Sequence, residues 1–250
     1  MKNFTDLLTI DRDTKTSKGV VLGYLTAIQY LAPASKSGIN VCKYSGECAN
    51  MCLDTSGRLK LTMAEKAQIE RTVFMFKYRQ SYYIELLLKE THKLVRMANK
   101  RQLTPCSRLN GLSDLPYENI RFKNYDNKTI FEILPIQYYD YTKFPYEARP
   151  NEKLPSNYHL TYSYSEKTKQ SEFDNLPNRN MAVVFDLCKL NYKGLCAMTC
   201  KCPMINQWLG YEVINGDESD LRFIDKTNVI VGLHAKGDAR KNPSDFVVRI

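Results

Sequence analysis

The chain has 250 residues, of which 43% are hydrophobic and 25% are charged; these ordinary globular proportions exclude a collagen-like or wholly disordered chain. Its 36 Lys and Arg residues against 27 Asp and Glu give a formal net charge of +9. That charge favours polyanions such as nucleic acid, although scattered basic residues are equally typical of a solvated surface. No run reaches the roughly 18 apolar residues of a membrane span, and the amino end lacks the pattern of a signal peptide. We therefore expect an intracellular protein without a membrane partner, folded as a single α/β domain over residues 1–250.

Short β-type runs alternate with helical or looped segments along the chain. Residues 20–30 predict the first strand, and a loop that carries three Cys residues follows it. Thr62 and Glu65 have the spacing of a capping box that opens a helix toward Tyr78. Apolar residues at helical spacing predict a second helix from about Gln80 to Lys100. Further strands are predicted at residues 103–109, 136–141, 158–164, 181–187, 211–214, 229–233 and 246–248.

This alternation predicts the fold class. Strands separated by crossover-length segments favour a parallel sheet, because parallel neighbours need a long return connection. We expect an α/β fold built as a complete or partial (β/α) barrel, with a Cys-bearing loop after the first strand. An open doubly wound sheet is the alternative, and no strand is followed by the glycine-rich phosphate loop of a nucleotide-binding Rossmann unit. A Cys-rich insertion is expected at about residues 188–208.

The chain contains eight Cys residues. Without a secretory signal these thiols are expected to be reduced, so clusters of them indicate a metal or redox site. Gly46 lies within the first cluster and permits a tight turn there. A small buried hydrophobic residue is the alternative use of Cys, and this explains Cys106. Cys188, at the end of a predicted strand, fits either use. The predicted metal ligands are Cys42, Cys48 and Cys52 in the first group, and Cys196, Cys200 and Cys202 in the second.

The number of thiolates in each Cys group indicates which metal centres it could hold. A four-iron, four-sulfur cluster normally has four Cys ligands, so three thiolates would leave one iron open. Enzymes of the radical S-adenosylmethionine class bind their cofactor at such an iron, and their three Cys follow the first strand of a partial barrel. The location here is similar at the level of the fold, whereas the spacing C-x5-C-x3-C differs from the C-x3-C-x2-C of that class. Zinc is the alternative metal, especially for the second group.

Polar side chains follow several predicted strands, where barrel enzymes carry their active sites. Arg108 leads into one such loop, and a buried guanidinium needs a charged partner, for which we expect Asp114 or Asp140. The acidic residues 217–220 could bind a divalent cation or transfer protons, although such a run is also typical of an ordinary turn. His234 ends a predicted strand near the same edge. The predicted substrate-pocket residues are Arg108, Asn110, Asp114, Asp140 and His159, and the predicted cofactor-binding residues are Ser113, Glu166 and Lys236.

The segment around the first Cys group, residues 40–58 (NVCKYSGECANMCLDTSGR), resembles the Cys motif of a bacteriophage family, the gene product 88 type. Further blocks resemble it at residues 108–114 (RLNGLSD), 139–143 (YDYTK), 157–163 (NYHLTYS), 216–223 (GDESDLRF) and 231–237 (VGLHAKG). The resemblance extends over about residues 20–240. It implies a phage or prophage origin and a location in the host cytoplasm.

Two hypotheses follow from these patterns. The first is an iron–sulfur enzyme of radical S-adenosylmethionine-like architecture that acts on a small-molecule, nucleotide or nucleic-acid substrate, with S-adenosylmethionine as a candidate cofactor. The second is a non-catalytic phage protein, stabilised by zinc, that binds nucleic acid or a host factor.

Overall fold

The structure is a computed structural model that describes residues 6–11, 14–78, 80–187, 202–240 and 245–250. Most of the expected Cys-rich insertion at 188–208, including Cys188, Cys196 and Cys200, therefore lies outside the described residues. The single domain over residues 1–250 stays a prediction.

Ten strands of the described residues form one sheet. They are β1 (Leu8–Ile10), β2 (Tyr24–Gln29), β3 (Thr104–Arg108), β4 (Gln137–Thr142), β5 (Tyr158–Ser163), β6 (Met181–Asp186), β7 (Gln207–Trp208), β8 (Tyr211–Asn215), β9 (Ile230–His234) and β10 (Val247–Arg249). Their order is β1-β2-β3-β4-β5-β6-β9-β8-β7, and β10 pairs with β6 in addition. All neighbours from β2 to β8 along this path are parallel, whereas β1 and β7 lie antiparallel at the two edges.

The mixed α/β class is confirmed, and β2 to β6 lie side by side in chain order. The sheet is open among the described strands, so a complete or partial barrel stays a prediction. The Cys-bearing loop follows β2, which is the first of the parallel strands but the second strand of the chain. The expectation that it follows the first strand was wrong in that detail, because the short antiparallel strand β1 precedes β2 and gave no clear signal in the sequence.

Six α-helices occur in the described part of the chain: α1 (Thr14–Val21), α2 (Ala34–Ser37), α3 (Thr62–Val73), α4 (Gln80–Lys100), α5 (Ile130–Ile133) and α6 (Gln170–Asp174). The helix predicted from Thr62 ends in a π-helical turn at Phe74–Tyr78, and α4 has the predicted bounds. The capping box at Thr62 was wrong, because Leu61 is the N-cap and makes no side-chain cap. A capping box occurs instead at Thr129 and Glu132.

The two faces of the sheet differ in chemistry, because neighbouring residues of a strand point to opposite sides. One face is apolar: Leu25, Tyr138 and Leu160 belong to a large hydrophobic core that includes Leu87 and Leu94 of α4. The other, which we name the polar face, carries Arg108, Tyr139, Tyr141, His159 and Thr161. The 3-10 turn Arg222–Ile224 covers it, where Leu221 and Phe223 pack with Cys106 and Tyr139.

The parallel arrangement brings the ends of β2, β3, β4, β5, β6, β8 and β9 to one edge of the sheet. We name the loops that follow these strands the carboxyl edge. Most of the predicted site residues lie there, as the sequence indicated.

Within the described residues, no helix is both long enough and apolar enough to cross a lipid bilayer.

Candidate functional site

The Cys-bearing loop is a series of short 3-10 turns at Gly46–Met51, Leu53–Thr55 and Gly57–Lys60. Gly46 and Gly57 have φ angles of 54° and 56°. Residues with a Cβ atom rarely adopt this left-handed backbone conformation. The tight turn expected at Gly46 is therefore confirmed. Cys42, Cys48 and Cys52 are all free and half-buried along this loop.

The three thiols are electrostatic neighbours. Burial, followed by the charges of Asp114 and Cys48, raises the pKa of Cys42 to about 12, and Lys143 partly opposes this. Burial also raises the pKa of Cys52, and Cys48 adds to this rise. The buried loop thus favours neutral thiols, and only a bound cation would make thiolates favourable there.

The side chains of the three Cys residues pack in different apolar surroundings. Cys42 lies against the main core, Cys48 against the cluster of Met51 and Phe246, and Cys52 against Ile28, Tyr30 and Leu112. Among the described residues, no three Cys, His, Asp or Glu side chains are arranged to hold a metal ion. The thiols are neighbours without forming a completed ligand set, so their role as metal ligands stays a prediction.

Glu166, from the loop after β5, holds the Cys-bearing loop in place. Its Oε1 accepts a hydrogen bond of 3.0 Å from the backbone N–H of Glu47. A Cβ atom on Gly46 would lie only 2.1 Å from the same oxygen, so a larger residue here would displace the Glu166 carboxylate. The other carboxylate oxygen, Oε2, is buried and has no hydrogen-bond partner in the described part of the protein. Glu166 was predicted to bind a cofactor, and it lies against the loop that carries the thiols.

Two further contacts fix the loop to the carboxyl edge. The Tyr44 ring packs edge-on against Phe144, which follows β4, with 4.6 Å between centroids. The backbone N–H of Asp114 donates to Val41 O over 2.8 Å. The loops after β3, β4 and β5 therefore all contact the Cys-bearing loop.

Asp114 is a buried carboxylate that forms an ion pair with Arg149. It lies 3.0 Å from Arg149 Nη1 and accepts a 2.7 Å hydrogen bond from the backbone N–H of Lys143. Burial nevertheless leaves the pKa of Asp114 above its usual value, because it outweighs the effect of Arg149. Arg149 also contacts Glu118 at 2.7 Å, so Asp114 belongs to a buried network of ion pairs.

Asp140, Asn110 and Ser113 form a second closed network. Asp140 accepts hydrogen bonds from Asn110 N at 2.7 Å, Asn110 Nδ2 at 3.1 Å and the Tyr158 hydroxyl at 2.9 Å. Ser113 donates to Asn110 Oδ1 at 2.7 Å. Burial raises the pKa of Asp140 to about 7, although Arg108 and these hydrogen bonds oppose the rise. The network links the loop after β3 to β4.

Arg108 is buried on the polar face, and its partner is Asp220. Arg108 Nη1 lies 3.2 and 3.1 Å from the two oxygens of Asp220, and its guanidinium lies 4.6 Å from the centre of the Tyr141 ring. The expectation of Asp114 or Asp140 as partner was wrong, because both carboxylates are taken up by the networks of the other face. Burial alone would lower the pKa of Arg108. The charge of the Asp220 carboxylate outweighs this effect, so the pKa lies above its usual value.

His159 lies on the same polar face, paired in register with Tyr139 of β4. Burial, followed by the charges of Arg179 and Arg222, lowers the pKa of His159 to about 4, so the ring is neutral near pH 7. Its Nε2 is buried and makes no hydrogen bond with the described residues. His159 is the second residue of β5, so it lies near the amino end of that strand, and the Arg222 turn packs against β5.

Lys236 and His234 form a separate cluster with Asp217 after β8 and β9. His234 Nδ1 lies 2.8 Å from Asp217 Oδ2, and its Nε2 lies 2.9 Å from the backbone oxygen of Cys202. Lys236 pairs with the other oxygen of Asp217. Burial raises the pKa of Asp217, but the hydrogen bonds from Lys236 and His234 outweigh it, so the pKa lies below its usual value. Lys236 is therefore an ion-pair partner rather than a free cation.

The predicted site residues did not include Lys143, Arg149, Asp220 or Arg222. Lys143 donates to Ser163 Oγ at 2.6 Å and lies over the Phe246 ring at 4.7 Å, close enough to Cys42 to lower its pKa. Lys143 directly follows β4, and this position was the sequence signal that could have identified it as a site residue. Asp220 ends the acidic turn and Arg222 begins the 3-10 turn that follows it, and nothing local indicates that they fold back over the sheet.

These features define a mixed α/β protein with polar networks and a three-thiol loop at the carboxyl edge of a parallel sheet. The profile of the family described as Gene product 88 matches residues 5–250, and the chain belongs to that family. This confirms the resemblance to the phage gene product 88 type. Neither the curated proteins nor the solved structures include a match to this chain.

Proposed function

We propose that this phage protein is an iron–sulfur enzyme of the host cytoplasm, with its centre at the carboxyl edge. Cys42, Cys48 and Cys52 would hold the centre. The observation that carries the proposal is the placement of all three free thiols on one loop, which the loops after β3, β4 and β5 fix at the edge where α/β enzymes carry their sites.

The donor chemistry fits such a centre. Cys thiolates are ligands of iron–sulfur clusters and of zinc, and the buried, unpaired Oε2 of Glu166 lies beside the turn between Cys42 and Cys48. When bound, an iron–sulfur cluster would supply electron transfer or an open iron for a cofactor such as S-adenosylmethionine. The chain's own part is to fix the loop through Glu166 and to exclude water around the half-buried thiols.

One cation at this edge, Lys143, suits a polar, anionic substrate such as a nucleotide or nucleic acid. Lys143 lies near Cys42 and donates to Ser163. The net charge of +9 also favours a polyanion.

The alternative, a zinc-stabilised protein without catalysis, has one specific observation in its favour. Asn110, Ser113, Asp114 and Asp140 are engaged in closed hydrogen-bond and ion-pair networks, as expected for residues that only brace loops.

Anaerobic purification followed by metal, sulfide and absorption analysis separates the two. Iron and sulfide in stoichiometric amounts, with broad visible absorption, support the enzyme. Colourless protein with stoichiometric zinc supports the alternative, and protein without any metal contradicts both. Single-turnover assays with S-adenosylmethionine under reducing conditions then test the open iron, because cofactor cleavage requires it.

A further inference from the structure

The polar face contains a group of buried polar atoms with unused hydrogen-bonding capacity. Across the described residues, nine buried side-chain nitrogen and oxygen atoms make no hydrogen bond. Six of these nine belong to one part of the fold, where β3, β4 and β5 meet the Arg222 turn. They are Arg108 Nε, His159 Nε2, Thr161 Oγ1, Arg222 Nε, Arg222 Nη1 and Asp225 Oδ2.

These residues lie together on one face. Tyr139 and Tyr141 of β4 pair in register with His159 and Thr161 of β5. Arg108 lies over the Tyr141 ring. The Arg222–Ile224 turn contacts both β4 and β5, so Arg222 lies next to both strands.

Arg222 is deeply buried, since only 1% of its surface is exposed. Its Nη2 donates to the backbone oxygen of Ser219. Its Nη1 would lie 2.9 Å from a Cβ placed on Gly216, so glycine at 216 leaves room for the guanidinium. Its Nε lies 3.3 Å from Asp225 Oδ2, but the two are not aligned as a hydrogen bond.

The unused atoms are mainly donors. The Arg nitrogens can only donate, the Thr161 hydroxyl can donate, and a neutral His159 ring can carry its proton on Nε2. Asp225 supplies the one group that is only an acceptor when ionised, and burial raises the pKa of Asp225 to about 6, so this carboxyl is partly neutral in mildly acidic solution. A buried donor without an acceptor is costly, and guanidinium groups pair best with oxyanions.

We propose that the polar face binds a phosphate group, which accepts hydrogen bonds from Arg222, Arg108, Thr161 and His159. The donors come from β3, β5 and the Arg222 turn, and donors from several directions suit a tetrahedral anion better than a planar carboxylate. In the proposed function this is the phosphate of the substrate, and that assignment alone rests on the proposed function. The binding site itself does not depend on a metal at the thiols.

The test is binding of inorganic phosphate to the full chain, measured by isothermal titration calorimetry with and without a metal chelator. We expect saturable binding that survives chelation. Thr161→Val, which keeps the side-chain volume, should weaken it roughly tenfold because one hydrogen bond is lost, and Arg222→Lys should weaken it at least as much. Arg121→Gln removes an exposed guanidinium and should leave the affinity within about twofold.

Acetate in place of phosphate distinguishes the tetrahedral anion from a carboxylate, and weak or absent acetate binding is expected. The proposal is overturned by the absence of phosphate binding, by acetate binding of equal strength, or by an unchanged affinity in Thr161→Val. Should Arg222→Lys fail to fold, Thr161→Val decides. If the chelator abolishes phosphate binding, the claim that the phosphate site does not depend on a metal at the thiols is wrong. Metal-free protein that still binds phosphate would count against the metal centre only.

Discussion

Glu166 accepts a 3.0 Å hydrogen bond from the backbone N–H of Glu47, a residue 119 positions away in the chain. This contact joins the loop after β5 to the turn between Cys42 and Cys48. It places a carboxylate where a Cβ on Gly46 would stand, so the docking of the thiol loop depends on both residues.

Gly46→Ala should therefore destabilise the protein more than Gly57→Ala. Both glycines have nearly the same positive φ, so each substitution costs about 1 kcal/mol in backbone strain. Only at Gly46 does the new methyl group also collide with Glu166, because a Cβ at Gly57 meets nothing within 4 Å. We expect an additional loss of roughly 1–3 kcal/mol, measured by urea unfolding. Equal losses in the two variants would show that the Glu166 contact does not hold the loop.

The double variant Gly46→Ala with Glu166→Ala extends this test. Removing the carboxylate removes the collision, so the second substitution should cost less in the Gly46→Ala background than in the wild type. Strictly additive losses would contradict the contact.

Asp220→Asn should strongly destabilise the fold. The substitution leaves the buried Arg108 guanidinium, 5% exposed, without its counter-charge. Breaking a buried pair from one side typically costs about 3–5 kcal/mol. Glu212→Gln is the matched control, because the Glu212–Lys226 pair is 55% exposed on both sides, and it should change the free energy of unfolding by less than about 1 kcal/mol.

Asp140 should make stability depend on pH. Its pKa is about 7 in the folded protein and about 4 in an unfolded chain, so the folded state binds more protons between these values. The Asp140 contribution is therefore fully present below about pH 4 and is lost as the pH rises toward 7. Relative to Asp140→Asn, which does not titrate, wild-type protein should lose up to about 4 kcal/mol over this range, as followed by urea unfolding at a series of pH values. A difference that is constant with pH, or that grows in the other direction, would contradict the raised pKa.

The sequence predicted the regular elements well where a pattern extends over many residues. The long amphipathic pattern gave α4 its bounds, and alternating apolar residues indicated β3 to β6, β8 and β9 to within one or two residues. The pattern was misleading at Val20 and Val21. These β-branched residues end α1 rather than begin β2, and Val21 is 87% exposed. β1 and β7 are too short, at three and two residues, to leave a pattern.

The sequence predicted the position of a site residue only where that residue directly follows a predicted strand. Asn110, Ser113, Asp114 and Glu166 lie at the carboxyl edge as expected, because polar residues after parallel strands meet there. The ion pairs were not predictable, because Arg108 and Asp220 are 112 residues apart and Arg149 reaches Asp114 from a separate loop. Local sequence carries no signal for such long-range partners.

Metal content of single Cys variants tests the central claim most directly. Wild-type protein, Cys52→Ala and Cys106→Ala should be prepared anaerobically and compared for bound metal and sulfide per chain. Cys106 is the matched control, because it is a buried thiol on the polar face, next to Thr26 and away from the loop. We expect Cys106→Ala to keep the wild-type stoichiometry and Cys52→Ala to lose the centre while remaining folded by circular dichroism. Full metal content in folded Cys52→Ala would show that the thiol loop does not hold a metal.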